Sequence, residues 1–348
     1  MASSLASPER APDTTETQDH RPPARGRYLT PTIREQLQVY VPLLAIIIGL
    51  SIYTNSRNGH FLSSGNVEQI LTANAVLGIL ATGQTLLLVG GQFDLSVGSM
   101  VSFGSVLVAQ QITTGTSQWL AIGMVVGVAV ATGLLWGILV SRLKVAPFIL
   151  TLGGLAVFAS AATTIANSAT VPLPNGLIWI QSGTWLGIPT PIVLWALVAI
   201  AGGIVLHFTR LGKTIYAVGA NEEAAFLSGV SVPRVKISAF MLNGLFTGLA
   251  AIVMAGHSGA GDPNSGTGLE LTTIAAIVLG GASLAGGRGT IIGSVLGVLV
   301  LGVVTSSLTF LNVPNSYNQF VFGAILIVAV TITATAELRR KRMKSKHR

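Results

Sequence analysis

The sequence predicts an all-α protein threaded about ten times through a lipid bilayer, and three observations lead there. Half of the 348 residues are apolar and only 9% are charged, with a mean hydropathy of +0.69. Apolar runs of roughly twenty residues, the length a helix needs to cross hydrocarbon, recur along the chain. Counted as crossings, those runs leave nearly all basic residues on one side. The chain has 41 glycines and no cysteine. Glycine at that level suits helices that pack closely in lipid, and the lack of cysteine excludes disulfides, thiolate metal sites and a cysteine nucleophile.

Residues 1–36 are rich in Ser, Thr, Pro and charge and carry too little apolar area to fold alone, so they read as a disordered cytoplasmic tail. No separate apolar segment precedes the first run and no convincing small-residue cleavage site follows it, so the first run is expected to remain as a helix. The candidate spans are 38–54, 67–90, 95–112, 119–140, 147–167, 190–208, 237–257, 268–284, 290–310 and 317–336. Together they define a membrane domain over 37–336, followed by a basic cytoplasmic tail over 337–348. With the N-terminus inside, nineteen of the 20 Lys and Arg face the cytoplasm and Arg57 alone faces out. That asymmetry is the one the positive-inside rule expects, and an odd number of crossings would destroy it. The net charge of +8 therefore reports orientation, and no nucleic-acid partner is expected.

Within the spans, Gly123 and Gly127, Gly133 and Gly137, Gly244 and Gly248, and Gly293 and Gly297 recur at four-residue spacing. Small residues so placed let helices approach within the chain or across a dimer.

Asp94, in GGQFDLSVGS, is the only ionisable side chain between Gln69 and Ser141. Gly90 and Gly91 can stop one helix while Asp94 accepts the N–H of Ser96 or Val97 to open the next. Alternatively the break lies beside a translocation path, with Gln92, Asp94 and Ser96 as polar contacts. The outer stretch 256–271 is Gly-rich and polar. Its Asp262, Asn264 and Glu270 read either as ordinary turn chemistry or as an outer gate or contact for a binding protein. Arg288, in the inner turn SLAGGRGT, suits a positive-inside anchor or an approach to a partner subunit.

Several chemistries are excluded. Apart from Asp94, the acids near spans (Glu68, Glu270 and Glu337) sit at span ends, so coupling to an ion gradient has little to work with. In TRLGKTIY, Gly212, Lys213 and Thr214 resemble the end of a phosphate-cradling loop, but His207 stands where the first glycine is needed and a lipid-length run precedes it. The five histidines have no paired ligand spacing, so no metal site is expected. No nucleophile has an adjacent base, and an enzyme is not expected.

The longest inner loop, 209–236, contains ANEEAAFLSG. Asn221 can cap a helix, Glu222 and Glu223 suit its first turn, and Gly229 can end it left-handed, so a two-turn helix should present Phe226 and Leu227. So short a helix needs a packing surface, either the chain's own helix ends or a groove on a cytoplasmic partner.

At this loop the chain resembles a family. EAAFLSG, Glu223 to Gly229, is similar to the EAA-x-x-x-G loop with which permease subunits of ATP-binding-cassette (ABC) importers engage their ATPases, in the ribose-type sugar branch. GGQFDLSVGS, RLKVAPFILTLGG (Arg142 to Gly154) and LELTTIAAIVLGGASLAGGRGTIIGSVLG (Leu269 to Gly297) match that family's other blocks in order. The chain departs at Phe226, where the family has a basic residue, at Thr272 and Thr273, where it has Asp-Ala, and at Leu269, where it has an aromatic. The resemblance implies an ABC importer permease fold of about ten spans in the bacterial inner membrane, with both termini cytoplasmic. It further implies a dimer with itself or a related permease, two ABC ATPase domains that bind the ATP this chain does not, and an extracytoplasmic sugar-binding protein. A monosaccharide, most of all ribose or another pentose, is the implied cargo, with Gly219, Asn221, Glu222, Glu223, Ala224, Ala225, Phe226 and Gly229 as the ATPase-coupling loop. A hexose, a furanone-type signal, a branched-chain amino acid or an ion-coupled carrier are the alternatives.

Overall fold

A computed structural model describes residues 33–314 except 174 and 175, and single helical residues between 317 and 331. Both expected tails, 1–36 and 337–348, fall almost wholly outside the described residues, as does most of the span expected at 317–336. In chain order the helices are α1 (Ile33–Asn58), α2 (Ser64–Ala73), α3 (Ala75–Val89), α4 (Val97–Thr113), α5 (Gln118–Arg142), α6 (Pro147–Ile165) and α7 (Ile178–Gln181). They continue as α8 (Thr190–Phe208), α9 (Arg210–Ala220), α10 (Glu222–Leu227), α11 (Val232–Ser258), α12 (Leu269–Leu279) and α13 (Ile291–Phe310). Two-residue strands β1 (Val171–Pro172), β2 (Thr184–Trp185), β3 (Ile188–Pro189) and β4 (Ala260–Gly261) form two small antiparallel pairs, β1 with β4 and β2 with β3.

Among the described residues six helices are long and apolar enough to cross a membrane, and seven if α2 and α3, bent 46° at Asn74, make one span. This is a mostly helical, multi-pass architecture. The expected runs at 95–112 and 268–284 do form helices, but shorter ones. α12 is only 11 residues long, because Gly268 (φ +82°) opens it and the Gly280–Gly281 turn (φ +88° at Gly281) ends it. A lipid-length apolar run therefore does not become a lipid-length helix here; past Leu279 it continues as a turn.

The bundle is layered. All fifteen residues of α3 are buried, making it the axis. α11 packs across α5, α3 and α4, while α1, α5, α6 and α8 carry the outward-facing apolar side chains such as Ile46, Leu135, Ile149 and Ile200. Such faces match lipid, which is as apolar as the core. The α5–α11 seam uses the expected glycines: a Cβ on Gly133 would lie 2.3 Å from the Phe240 carbonyl oxygen, and one on Gly244 2.3 Å from that of Ala129. At the α12–α13 seam a Cβ on Gly297 would lie 1.9 Å from the Ala276 oxygen. Gly123 and Gly127, by contrast, lie on an outer face of α5 with open space around them.

The helix ends sort into two sides. α10 shares its end of the bundle with the C-termini of α3, α5 and α12 and the N-termini of α11 and α13, as contacts of Gly219 with Val89 and Gly287 and of Lys144 with Glu222 show. Arg142, Lys144, Arg210, Lys213, Arg234, Lys236 and Arg288 all belong to segments at that end, and Arg57 belongs to the other.

Candidate functional site

Three features concentrate the polar chemistry: a hydrogen-bonded hub at Asp94, the α10 helix with its ion pairs, and a cavity on the side away from α10 whose mostly apolar wall carries several polar side chains.

At the hub, α3 ends at Gly90, Gly91 turns the chain at φ +72°, and residues 92–96 climb back beside α3 until α4 begins. The Asp94 carboxyl group is buried. Its Oδ1 accepts the Ser96 N–H at 2.8 Å and the Ser96 hydroxyl at 2.5 Å, and its Oδ2 accepts the Asn243 amide of α11 at 3.2 Å. Gln84 of α3 clamps the Asp94 backbone from both sides: its Nε2 donates to the carbonyl at 2.6 Å and its Oε1 accepts the N–H at 3.2 Å. Trp136 of α5 donates its indole N–H to Ser96 Oγ at 3.2 Å. Asp94 thus ties α3, α4, α5 and α11 together with hydrogen bonds in place of a counter-charge. The Ser96 amide is the backbone partner; the helix itself starts at Val97, with Ser96 as its flanking residue. Gln92 is buried and donates to the Gly91 carbonyl.

At α10, Asn221 Oδ1 accepts the Ala224 N–H at 2.9 Å, Gly229 takes φ +82°, and Ala225 is buried against the bundle. Phe226 and Leu227 are 65% and 78% exposed, and Glu223 points to solvent beside them. Glu222 faces inward. It accepts from Lys236 Nζ of α11 at 2.7 Å and sits 3.7 Å from Lys144 Nζ in the α5–α6 turn. Burial pushes the Glu222 carboxyl up, but the bond and charge of Lys236, then Lys144, outweigh it and hold it below its ordinary range. Gly212, Lys213 and Thr214 lie inside α9, a helix capped by Thr209, so this stretch is no phosphate loop. Gly219, at the end of α9, touches bare backbone: a Cβ there would lie 1.8 Å from the Val89 oxygen, which already accepts the Gly287 N–H at 2.8 Å. Arg288 lies in this same turn, beside Gly287.

Away from α10, residues 259–268 descend beside α4, first as the short strand β4 and then as consecutive turns. Gly261 packs on the backbone of Ser105 and Val106, Gly266 on that of Gly98, and the Gly266 N–H donates to Ser102 Oγ at 2.8 Å. From Ser105 to Gly98 this is a descent of about 10 Å along α4. Asp262 and Asn264 stay together near the top in a turn, the Asn264 N–H donating to Asp262 Oδ1 at 2.8 Å. Glu270 is carried away from them to the first turn of α4, where a Cβ on Gly98 would lie 2.2 Å from its Oε2. The sequence groups these three residues; the structure separates Glu270 from the other two.

Next to this descent opens a cavity of 760 Å³ between α2, α3, the start of α12 and α13, with Gly323 at its edge. Its polar lining is Asn66, Gln69, Asn74, Thr267, Thr272, Thr305, Ser306 and Thr309, and no ionisable side chain is among the lining residues. Sequence reasoning missed it. The signal was polar residues at helical spacing, Asn66 and Gln69 at the start of one candidate span and Thr305 and Thr309 inside another.

Residues 66–330 match the family described as "Branched-chain amino acid transport system / permease component". The chain belongs to this permease family. The ribose import permease protein of Escherichia coli strain K12 is 33% identical over 297 residues, 83% of this chain and 92% of that protein. The L-arabinose ABC transporter permease protein of Azospirillum brasilense is 37% identical over 287 residues, 82% of this chain and 84% of that one. The xylose transport system permease protein of Escherichia coli K12 is 31% identical over an alignment of 366 residues, 87% and 93% of the two chains. No solved structure matches the chain. Family and apolar helices together make this a multi-pass protein of the bacterial inner membrane.

Proposed function

We infer that this chain is the membrane-spanning permease subunit of an ABC importer for a monosaccharide. The observation that carries this reading is likeness over more than four fifths of the chain to permeases named for ribose, L-arabinose and xylose. The family's printed description raises an amino acid as a rival cargo. The uncharged lining of the 760 Å³ cavity argues against it, because a zwitterion moved out of water needs counter-charges.

The finer reading is a pentose, ribose first, taken from an extracytoplasmic binding protein and moved by alternating access. The fold would cross the membrane ten times with both termini cytoplasmic, pair with a second copy or a related permease, and be driven by two ATPase domains that hold the ATP. Support for α10 as the ATPase handle lies in its two exposed apolar side chains and in its position beside the Gly219–Val89–Gly287 contact. There α9, which leads straight into α10, meets the ends of α3 and of the α12–α13 turn, whose helices bound the cavity. Movement of α10 toward a nucleotide-driven partner would displace those ends directly and shift the balance between outward- and inward-open states.

Measuring which sugar stimulates ATP hydrolysis by the reconstituted complex tests the cargo; stimulation by leucine and by no sugar would refute a monosaccharide. Glu223→Lys tests the handle. Glu223 points to solvent, so the change should leave membrane insertion intact and strip the ATPase from the purified complex. Unchanged co-purification would reject α10 as the docking element.

A further inference from the structure

The 760 Å³ cavity has hydrogen-bonding capacity that the fold does not consume. Thr272, Thr305 and Thr309 donate their hydroxyls to the carbonyls of Gly268, Leu301 and Thr305, so their remaining lone pairs serve only as acceptors. Gln69 is different. Its carboxamide and the Thr267 hydroxyl make no hydrogen bond among the described residues; both side chains stand exposed at the open edge of the cavity, where they offer donors and acceptors to whatever enters it. Phe310 adds an aromatic face, fixed edge-on by Phe61 at 5.2 Å between ring centroids.

One part of the wall could attract an anion, the N-terminus of α12, where backbone N–H groups point outward. It already has an acid of its own. Glu270 lies in the first turn of α12, so the helix end carries its own negative partner. A ligand here meets no net charge, many acceptors, two free polar side chains and an apolar ring. That is the chemistry of a neutral polyhydroxylated molecule, whose hydroxyls bridge polar groups while its C–H face lies on an aromatic.

We propose that this cavity is a resting site for the sugar in transit, with Gln69 and Thr267 as the residues that select for hydroxyl groups. The proposal rests on the monosaccharide reading and locates its path. A site of this kind is expected to bind weakly, since a permease that held its cargo tightly would slow release.

The chain has no cysteine, so Gln69→Cys introduces a single thiol. In the full-length permease in membranes, ribose, L-arabinose or xylose should slow maleimide labelling of that thiol several-fold, while leucine should not. A control thiol at Leu186→Cys, a fully exposed position, should be unaffected. In cells carrying the complete importer, Gln69→Leu combined with Thr267→Val should lower sugar uptake by about three- to tenfold per lost hydrogen bond. Gln69→Asn should recover part of it, and ATPase co-purification should not change. Labelling indifferent to all three sugars, or full uptake by the double variant, overturns the proposed site while leaving the import function standing. If cells with the unaltered importer take up none of the three sugars but do take up leucine, the monosaccharide reading falls and this site with it.

Discussion

Two polar regions mark this apolar bundle, one buried and one open to its surface, and they are built on opposite plans. Around Asp94 the hydrogen bonds close on one another: carboxyl, amides, hydroxyl and indole from four helices are turned inward. Around Gln69 and Thr267 they are left open toward a space. The first arrangement holds helices in register and has little left to give a ligand; the second contributes little to register and has spare partners. Polarity alone thus does not mark a transport site in a membrane protein. The deciding feature is whether its donors and acceptors are already used within the fold.

The sharpest way to break that contrast is at the hub. Asp94→Leu should leave the Ser96 and Asn243 donors buried without acceptors, about 1–3 kcal/mol for each, a combined loss that abolishes accumulation of folded permease in membranes. Normal yield and normal detergent melting would show that the network is dispensable. Next in size is Glu222→Ala, which orphans the buried Lys236 ammonium at about 1–3 kcal/mol and should loosen α10, measured as faster amide exchange over residues 221–229. Asp94→Asn should be milder, about 1 kcal/mol, because the new amide still accepts from Ser96. Asn243 Oδ1, buried without a partner, becomes an acceptor for the new N–H if the Asn243 amide flips. Equal transport loss in the Asn and Leu variants would mean the charge itself is needed. Smallest should be Lys144→Ala, under about 0.5 kcal/mol, since that pair is 3.7 Å apart and its Lys is exposed.

Acidity separates the regions too. The Glu222 carboxyl is held below its ordinary range, so its contribution is complete above the unfolded value and fades as pH falls through the folded one. Acidification below the ordinary carboxylate range should therefore expose α10 to protease, while the residues lining the cavity, none of them ionisable, should not respond in the same range.

Much of this was legible beforehand, and unevenly so. The α10 helix followed from Asn221, the two glutamates and Gly229, because caps act through neighbours in sequence. The glycine seams followed where a partner helix happened to present bare backbone, as at Gly133 and Gly244, and not at Gly123 and Gly127, since spacing cannot tell which face of a helix meets another. The Ser96 bond to Asp94 was local and foreseeable. Asn243, Gln84 and Trp136 were not, being distant in the chain and unremarkable in their own runs. The loop over 256–271 was legible from its Gly-rich, polar sequence, but its course along α4 was not: Gly261 and Gly266 permit the close approach to that helix without specifying it.

At Gly219, Val89 and Gly287, three strands of main chain touch with no side chain as cushion. Side chains yield by changing rotamer; peptide planes do not. A push delivered there has no spring to compress, so the stroke of the motor should reach the far wall undiminished, and an added methyl group at position 219 should jam the linkage rather than slacken it.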